Sequence, residues 1–492
     1  MVSLRFATPG QWIIRLENLT LRLSDGTSIV SPSSLDSSTT YVVLEQGRWF
    51  EKEWSFVPKL MRDGMTVVDV GANAGVYSLS LARHVAPMGR VVAFEPSPEA
   101  RGRLIRGKEL NGTGNLDIVD AALSDYEGTA VLAGGEGVDT ELGAIKADGA
   151  GTPVRVTTLD LEAGRRGLTA IDFLKIDAEG AELGVLNGGR AVLSSQTPVV
   201  MFEVPLRDGQ RRSPEVYACL LGLGYDLFRL VGPSIMLIPY DPDAPLDSYD
   251  LNLFAVKPDR AELLEATGLL ARVPARSSYD TKASGTYAAP FASAFSWRTD
   301  VPELYLQALS AYEAWRSTGS ANDRAGALAF AYDTLRVICA KSPSVPNLCT
   351  LARVAADFGS NDIARLALAD VIERASHGTP VLDEPFWPAS GRYDTLSPSP
   401  NPVEWFLAAV VEQQQMVRAH SSIFDGSGVT PLMQWLSKTR YTSEEMLRRL
   451  YLITVRQGGW MLMPHRLTLD AEGYLNANIW RDGKIPQRRV SP

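Results

Sequence analysis

The sequence is poor in the residues that build disulfide frameworks and metal sites. Its 492 residues include only three cysteines and four histidines. The cysteines, Cys219, Cys339 and Cys349, show no C-x-x-C spacing. We therefore expect neither a disulfide framework nor a zinc site, and the cysteines in helical sequence are expected to be buried thiols.

Long apolar runs and an excess of positive charge are also missing. No stretch reaches the roughly 18 consecutive apolar residues of a membrane-spanning helix, and the N-terminal segment lacks the apolar core of a signal peptide. The formal net charge of −9 argues against a broad nucleic-acid-binding surface. We expect a cytoplasmic protein with no membrane span and no nucleic-acid partner.

The chain is too long for one ordinary domain, because about 150 residues per domain is typical. Four divisions are predicted: a β-rich extension over 1–40, a catalytic domain over 41–258, a linker over 259–297 and a helical domain over 298–492. In the catalytic part, apolar β-branched runs alternate with helical segments. Such alternation indicates an α/β fold whose parallel sheet is covered by helices on both faces.

Individual elements of the catalytic domain follow from its apolar runs and turn residues. The predicted parallel strands are TVVDV, GRVVAFEP, LDIVDAAL, AIDFLKIDA and TPVVMFEV. SIMLIPY and LNLFAVKP are expected to form an antiparallel pair that closes the sheet, and TYVVLEQG (residues 40–47) is expected to be a further strand. RWFEKEWSFVPKLMRDG (48–64) predicts an amphipathic helix that ends at Gly64.

The C-terminal part shows helical periodicity throughout most of its length. Two of its segments span about the length of a tetratricopeptide repeat, so we expect an all-α, repeat-like domain. Seven of the ten tryptophans lie there, and core packing is a more common role for them than sugar binding. Residues 383–394, rich in proline and aromatic residues, are a hypothetical lid. A homo-oligomer or protein-partner surface on this domain is a further hypothesis.

The stretch VVDVGANAG, residues 67–75, carries the first functional signal. A strand ends at Asp69, and Gly71, Asn73 and Gly75 follow at every second position. Glycines there allow a tight turn and a close approach of a ligand, and asparagine readily enters left-handed conformations. An acid before the glycines would repel a pyrophosphate but suits a cationic ligand.

Glu95 ends the next strand, 20 residues after Gly75. This is the spacing at which a carboxylate binds ribose hydroxyls. A ligand with a ribose, no diphosphate and a positive charge fits S-adenosylmethionine. Asp120, at the end of the third strand, is predicted to accept from the adenine amine with Ala121 against the ring, or else to be a simple turn residue.

Acidic residues crowd the stretch LKIDAEGAEL, residues 174–183. Asp177 ends the fourth strand, where ligands bind in open α/β sheets, and is predicted to be functional. Glu179 and Glu182 lie at a helix start, where carboxylates are stabilised by the helix dipole, and this structural role is favoured for Glu182. Lys175 shares a strand face with Asp177 and is predicted either to keep that carboxylate ionised or to neutralise the strand ends.

Transfer of a group to a poor nucleophile such as a hydroxyl would need a general base. His84 is the only histidine of the catalytic part, and its helical position favours an ordinary surface or core role. Asp177 is therefore the first candidate base and Glu203, which ends the fifth strand, the second. The two acids could instead hold Mg²⁺, but no metal is expected. Glu51 and Glu53 could reach the methionine amine, although a solvated helix face is the favoured interpretation.

Taken together, VVDVGANAGVYSL, VVAFEPSPE, AALSDYEG, VTTLD, DFLKIDAEGAELGVLNGG, VVMFEV and NLFAVKP resemble, in this order, the FkbM-type methyltransferases. The resemblance covers roughly residues 40–258. It implies a Rossmann-like class I methyltransferase sheet that binds S-adenosylmethionine and methylates a hydroxyl, commonly of a surface glycan or a natural product. The predicted cofactor-binding residues are Asp69, Gly71, Ala72, Asn73, Gly75, Glu95, Pro96, Asp120, Ala121 and Asp177.

Two other functions stay open at this point. A nicotinamide-binding oxidoreductase uses a similar sheet, but Asp69 and the Asn73 spacing argue against it. A non-catalytic scaffold whose helical domain binds partner proteins is the second alternative, against which the intact Asp69, Glu95 and Asp177 argue. A protein or small-molecule acceptor remains possible within the enzyme class.

Overall fold

The computed structural model describes residues 2–8, 11–16, 18–133, 144–146, 151–207, 210–232, 236–272, 291–317, 319–468, 476–483 and 485–486. The strands are β1 Val2–Thr8, β2 Gln11–Leu16, β3 Asn18–Arg22, β4 Ser28–Pro32, β5 Thr66–Val70, β6 Arg90–Phe94, β7 Leu116–Val119, β8 Ala122–Leu123, β9 Gly128–Ala133, β10 Ala144–Lys146, β11 Thr152–Thr157, β12 Phe173–Ile176, β13 Val199–Glu203, β14 Leu206–Arg207, β15 Gln210–Arg211, β16 Asp226–Val231, β17 Met236–Pro239 and β18 Asn252–Val256.

The helices of the first half surround the sheet, and those of the second half follow one another closely. They are α1 Ser38–Gln46, α2 Lys52–Leu60, α3 Val76–His84, α4 Pro98–Asn111, α5 Leu159–Arg166, α6 Glu182–Asn187, α7 Arg190–Ser195, α8 Pro214–Gly222, α9 Pro258–Ala266, α10 Glu303–Arg316, α11 Ala321–Lys341, α12 Val345–Phe358, α13 Asn361–Ser376, α14 Pro402–Arg418, α15 Pro431–Leu436, α16 Glu444–Arg456, α17 His465–Thr468 and α18 Ala477–Arg481. Short 3₁₀ turns occur at Ala292–Ala294, Gly391–Thr395 and Ser422–Phe424.

An eight-stranded sheet forms the centre of the catalytic half, in the order β17-β16-β18-β13-β12-β5-β6-β7. The five strands from β7 to β13 are parallel, and β18 runs antiparallel beside β13. These are the predicted parallel strands, and the arrangement confirms the predicted class I methyltransferase sheet. Its strands are apolar on both faces because helices cover both sides, as the unbroken β-branched runs indicated.

The closing strands differ from the prediction in one respect. Met236–Pro239 and Asn252–Val256 are strands, but they are not partners, because β16 lies between them and pairs antiparallel with both. The prediction overlooked β16, which comes directly after a short helix and a glycine turn.

Residues 40–47 were expected to form a strand, and this expectation was wrong. They lie in the helix α1, which begins after Ser37, whose side chain accepts from the Thr40 amide, and ends at Gly47 in a left-handed conformation. Nearly every residue of α1 is buried. A helix buried on all sides shows no polar face, so its adjacent valines were mistaken for a strand. The predicted helices are present as α2 and α4, and Ser97 caps α4 as expected, but α2 ends at Leu60 and not at Gly64.

The helical half confirms the predicted all-α character, and its tetratricopeptide-like repeat stays a prediction. Of the expected linker 259–297, its first residues lie in α9, and residues 273–290 fall outside the described residues. Trp315, Trp387, Trp405 and Trp480 are buried, in agreement with the favoured core role. Within the described part of the chain, no helix is both long enough and apolar enough to cross a bilayer.

The C-terminal helices return to the sheet and share its core. Leu447, Leu452, Leu467, Ile479 and Trp480 belong to one apolar cluster with residues of β3, α1, α3 and the central strands. Asn476 pairs with the Arg22 backbone in both directions, at 2.9 and 2.8 Å. The chain after residue 444 therefore packs against the catalytic half as part of the same core.

Candidate active site

The glycine turn between β5 and α3 lies at the carboxyl ends of the parallel strands. Gly71 has a φ of 77°, and a Cβ placed on it would lie 1.8 Å from the Asp177 carbonyl oxygen. Only glycine fits there, because no side chain can displace that backbone. Asn73 adopts a left-handed φ of 48°, as its position in the motif predicted.

Glu95 ends β6 and points its carboxylate into the turn. The amides of Asn73 and Ser97 each donate to one of its oxygens at 2.7 Å. Burial raises the pKa of Glu95 to about 7, although the two amides counteract the shift. The group is therefore poised between its charged and neutral forms near neutral pH.

Asp69, Lys175 and Asp177 form a line of charges across the ends of β5 and β12. Lys175 pairs with Asp69 in the sheet register, and its ammonium lies 2.8 Å from Asp177 Oδ2 and 3.8 Å from Asp69 Oδ1. Burial alone would lower the pKa of Lys175, but the carboxylates of Asp177, Asp69 and Glu51 outweigh it and raise that pKa. Ser78 donates to Asp69 at 2.5 Å. Lys175 therefore holds Asp177 in a fixed position.

The acids around Asp177 compete for protons. Burial, and then the neighbouring charge of Asp177, raises the pKa of Glu203 to about 9 and that of Glu179 to about 7. Glu182 is different: its carboxylate accepts from the amides of Ala178 and Gly180, at 3.2 and 2.9 Å, and so closes the turn before α6. The geometry agrees with the structural role favoured for Glu182.

Glu51 and Glu53 do not lie on a solvated helix face, so that interpretation was wrong. Glu53 is buried, and burial raises its pKa to about 8. Glu51 lines the cavity described below, where Tyr77 and Trp49 donate to its carboxylate at 2.7 and 3.0 Å. The apolar positions of α2 made its buried acids hard to recognise from the sequence.

A cavity of about 870 Å³ opens over these groups. Most of the predicted site residues line it: Asp69, Gly71, Ala72, Asn73, Glu95, Pro96, Ala121, Lys175, Asp177 and Glu203. Gly75 and Asp120 are absent from its described lining. Gly75 lies at the start of α3 and instead packs against Leu104 of α4. The Asp120 side chain is 66% exposed and pairs with Arg101 at 2.8 Å.

The sequence interpretation missed a group of lining residues from the helical half. These are His420, Ile423, Phe424 and Arg456, and Trp49 and Phe50 join them from the segment before α2. His420 is one of only four histidines, which was the one available signal.

The hypothetical lid 383–394 is instead buried in the helical core, with Phe386 and Tyr393 fully enclosed, and that hypothesis was wrong. His84 is exposed at the end of α3.

Three carboxylates at the acidic end of the cavity approach each other closely. Oxygens of Asp177, Glu179 and Glu203 all lie within 4.8 Å of one another. Such spacing suits a divalent cation geometrically, but Lys175 already occupies one oxygen of Asp177. The expectation that no metal is needed stays a prediction.

The donor set of the cavity fits a cationic nucleoside. Gly71 leaves room where a Cβ would clash, and Glu95 offers a buried carboxylate at the sequence spacing after the glycine turn at which ribose hydroxyls are bound. The apolar residues Pro96, Ala121 and Leu123 also line the cavity and offer contacts for a flat base. Asp69 and Asp177 add carboxylates to the same lining.

The chain is similar to known methyltransferases. A sequence model of the methyltransferase FkbM domain matches residues 69–227. Methyltransferase sdnD of Sordaria araneosa is 30% identical over 200 residues, which cover 33% of this chain and 74% of sdnD. The AMB antimetabolite synthetase AmbE of Pseudomonas aeruginosa is 31% identical over 249 residues, 41% of this chain, but the match spans only 11% of AmbE.

One solved structure also matches part of the chain. The crystal structure of methyltransferase FkbM from Methylobacillus flagellatus KT is 18% identical, with a TM-score of 0.28, and the match covers 40% of this chain and 44% of that one. The residues after β18 lie outside the matched family domain.

Proposed function

Since the chain belongs to the FkbM family of S-adenosylmethionine-dependent methyltransferases, we propose that it methylates a hydroxyl group, and that Asp177 is the general base. The observation that carries this proposal is the Lys175–Asp177 pair, which holds a carboxylate at a strand end with its side chain 30% exposed to the cavity. Glu95 and the glycine turn would hold the ribose of the cofactor, and Asp69 would face its positive charge.

S-adenosylmethionine supplies the methyl group, which the acceptor oxygen takes from the sulfonium sulfur. The chain has to hold the acceptor oxygen in line with the bond that breaks, and it has to remove the hydroxyl proton. Asp177 suits the second task because Lys175 holds its carboxylate in place at 2.8 Å, at the edge of the cavity. Glu203 suits it less, because its pKa of about 9 leaves it protonated at neutral pH. A protonated Glu203 can instead donate a hydrogen bond to the acceptor.

We propose a sugar of a surface glycan, a glycan precursor or another glycosylated compound as the acceptor. The cavity supports this class because it combines several carboxylates, which bind hydroxyls, with the aromatic rings of Trp49 and Phe50. A small natural product with a hydroxyl group is the alternative, and the name of AmbE, an antimetabolite synthetase, favours testing it in parallel.

The test measures transfer of tritium from methyl-labelled S-adenosylmethionine to a panel of methyl pyranosides and nucleotide-linked hexoses. Asp177→Asn should lower kcat by roughly 10²–10⁴-fold, because a general base contributes about that much. Its dissociation constant for S-adenosylhomocysteine should change little, since Asn keeps the shape of the side chain.

Glu203→Gln serves as the matched control, because Gln copies a protonated carboxyl group. This variant should keep most of the activity at neutral pH. The assignment of Asp177 is wrong if Glu203→Gln loses more kcat than Asp177→Asn. The choice of a hydroxyl acceptor is wrong if the labelled product is an N-methyl or S-methyl compound.

A further inference from the structure

A turn of the helical half forms one wall of the cavity. His420, Ile423 and Phe424 come from the segment between α14 and α15, and Arg456 comes from the end of α16. All four are remote in sequence from the acids that end β12 and β13. The cavity is therefore complete only when the helical half is in place.

The turn is fixed by a buried carboxylate of α1. Glu45 accepts from the Ser422 amide at 3.2 Å and also from the Ser422 hydroxyl. Arg449 of α16 pairs with the same carboxylate at 3.0 Å, and both charged side chains are shielded from solvent. Gln46 donates to the His420 carbonyl at 2.6 Å. These hydrogen bonds and this ion pair fix the position of the turn that holds His420, Ile423 and Phe424.

The end of the turn is held by a second arginine. Arg456 donates to the Ile423 carbonyl at 3.0 Å. Phe424 nevertheless leaves 51% of its side chain exposed. Its exposed face borders the cavity.

Phe50 joins the turn to the segment before α2. Its ring centroid lies 5.2 Å from that of Phe424, 5.5 Å from that of His420 and 4.7 Å from that of Trp49. We call Trp49, Phe50, His420 and Phe424 the aromatic wall. Such a group of rings offers flat apolar faces of the kind that stack on a ring of a ligand.

The aromatic wall connects to the catalytic acids and not to the ribose carboxylate. Trp49 donates to Glu51 at 3.0 Å, and Asn252 donates to the same carboxylate at 3.3 Å. Asn252 is the register partner of Glu203 in the sheet. The wall therefore lies on the side of the cavity where Glu203 ends its strand, whereas Glu95 contacts the glycine turn.

The imidazole of His420 adds a polar group to this wall. Its Nε2 atom is buried and has no hydrogen-bond partner among the described residues. Burial, followed by the charges of Lys52 and Arg211, lowers the pKa of His420 to about 3, so the ring is neutral. A hydroxyl of a ligand would satisfy this unpaired ring nitrogen.

We propose that the aromatic wall binds the methyl acceptor: Phe424, Phe50 and Trp49 stack against the face of a pyranose ring, and His420 contacts one of its hydroxyls. This inference rests on the proposed function and adds that the helical half is part of the acceptor site.

A first experiment needs no acceptor. Amide hydrogen exchange of the full chain is compared with and without saturating S-adenosylhomocysteine. We expect the ligand to protect the glycine turn, residues 69–73, and to leave residues 420–424 unchanged. Equal protection of both segments would place the wall against the cofactor and would overturn the proposal.

The second experiment measures methyl transfer to the pyranoside panel by Phe424→Ala, Phe424→Tyr and His420→Gln. Phe424→Ala should raise KM at least tenfold, with little change of kcat or of the affinity for S-adenosylhomocysteine. Phe424→Tyr keeps the ring and should restore KM to near the wild-type value. His420→Gln keeps a polar nitrogen and should raise KM less than His420→Ala does.

Trp460→Ala is the matched control, because Trp460 is an aromatic residue of the same half that is 85% exposed and does not line the cavity. It should behave like the wild type. An unchanged KM in Phe424→Ala, or a parallel loss of cofactor affinity, would overturn the proposal. If the wild type binds S-adenosylhomocysteine but methylates no pyranoside, the proposed acceptor class fails while hydrogen exchange still decides the position of the wall.

Discussion

Glu95 is the residue whose protonation we expect to control binding of the nucleoside in the cavity. Burial raises its pKa, the amides of Ser97 and Asn73 lower it, the charge of Asp69 raises it and that of Arg101 lowers it, with a net result of about 7. Ribose hydroxyls donate to a carboxylate, so the ligand binds the ionised form. Protonation must therefore compete with binding.

We expect the affinity for S-adenosylhomocysteine to fall as the pH drops below about 7. Because only the ionised form binds, the dissociation constant should rise about tenfold for each pH unit below that pKa, and it should level off above pH 8. Calorimetric titration at several pH values between 5.5 and 8.5 measures this profile directly.

Glu95→Gln and Glu179→Gln separate the two cavity acids with similar pKa values. Glu95→Gln should bind more weakly than the wild type at pH 8 and should lose the pH dependence. Glu179→Gln should keep it. If the pH dependence persists in Glu95→Gln but vanishes in Glu179→Gln, the titrating group is Glu179, and the prediction for Glu95 is wrong.

The sequence predicted individual site residues well where one strand end and its turn supply them. Asp69, Glu95 and Asp177 line the cavity because each ends a strand that the apolar pattern had already located. His420 and Phe424 could not be predicted from the sequence in this way. They reach the cavity only through the packing of α16 on α1, which no local pattern encodes.

At the scale of elements, the turn between β5 and α3 combines two separate constraints. Gly71 has a positive φ, and its missing Cβ also leaves space for the backbone of the turn after β12. Gly64 shares a positive φ of 87°, but a Cβ placed on it would meet no atom within 4 Å. A comparison of alanine substitutions at Gly71 and Gly64 therefore separates the cost of a left-handed backbone from the cost of a steric clash.

Gly71→Ala should destabilise the protein more than Gly64→Ala and should abolish measurable binding of S-adenosylhomocysteine. A left-handed alanine costs about 1–2 kcal/mol at either position, whereas only residue 71 must also move the chain at Asp177. Thermal unfolding and calorimetric titration of both variants measure the two effects. Equal destabilisation with intact binding in Gly71→Ala would mean that the two strand ends are not in contact.

The elements also show where pattern-based prediction ends. Exposed or two-faced elements such as α2 and α4 were predicted, because they carry a polar side or an N-cap. The helix α1 was not, although Ser37 and Gly47 mark its two ends, because its buried side chains hide its period. In such a segment the capping residues carry more information than the apolar ones.

At the scale of the whole molecule, the described parts of the two halves share an apolar cluster and a buried ion pair. The apolar cluster that contains β3, α1 and α3 also contains Leu447, Leu452 and Trp480. Beside it, Glu45 and Arg449 form an ion pair that joins the two halves. A chain built in this way should unfold as one unit, even though the sequence suggests separate domains.

We expect a single cooperative unfolding transition that has the same midpoint by far-ultraviolet circular dichroism and by tryptophan fluorescence. Arg449→Met should lower the free energy of unfolding by about 3–5 kcal/mol, since it leaves the buried Glu45 carboxylate without its cationic partner. Adding Glu45→Gln to Arg449→Met should recover part of that loss, because the unpaired charge is removed while hydrogen bonds to Ser422 remain. The contrary result is two separate transitions, only one of which shifts in Arg449→Met. It would show that the helical half folds independently. Its wall of the cavity would then be a docked surface and not part of the catalytic core.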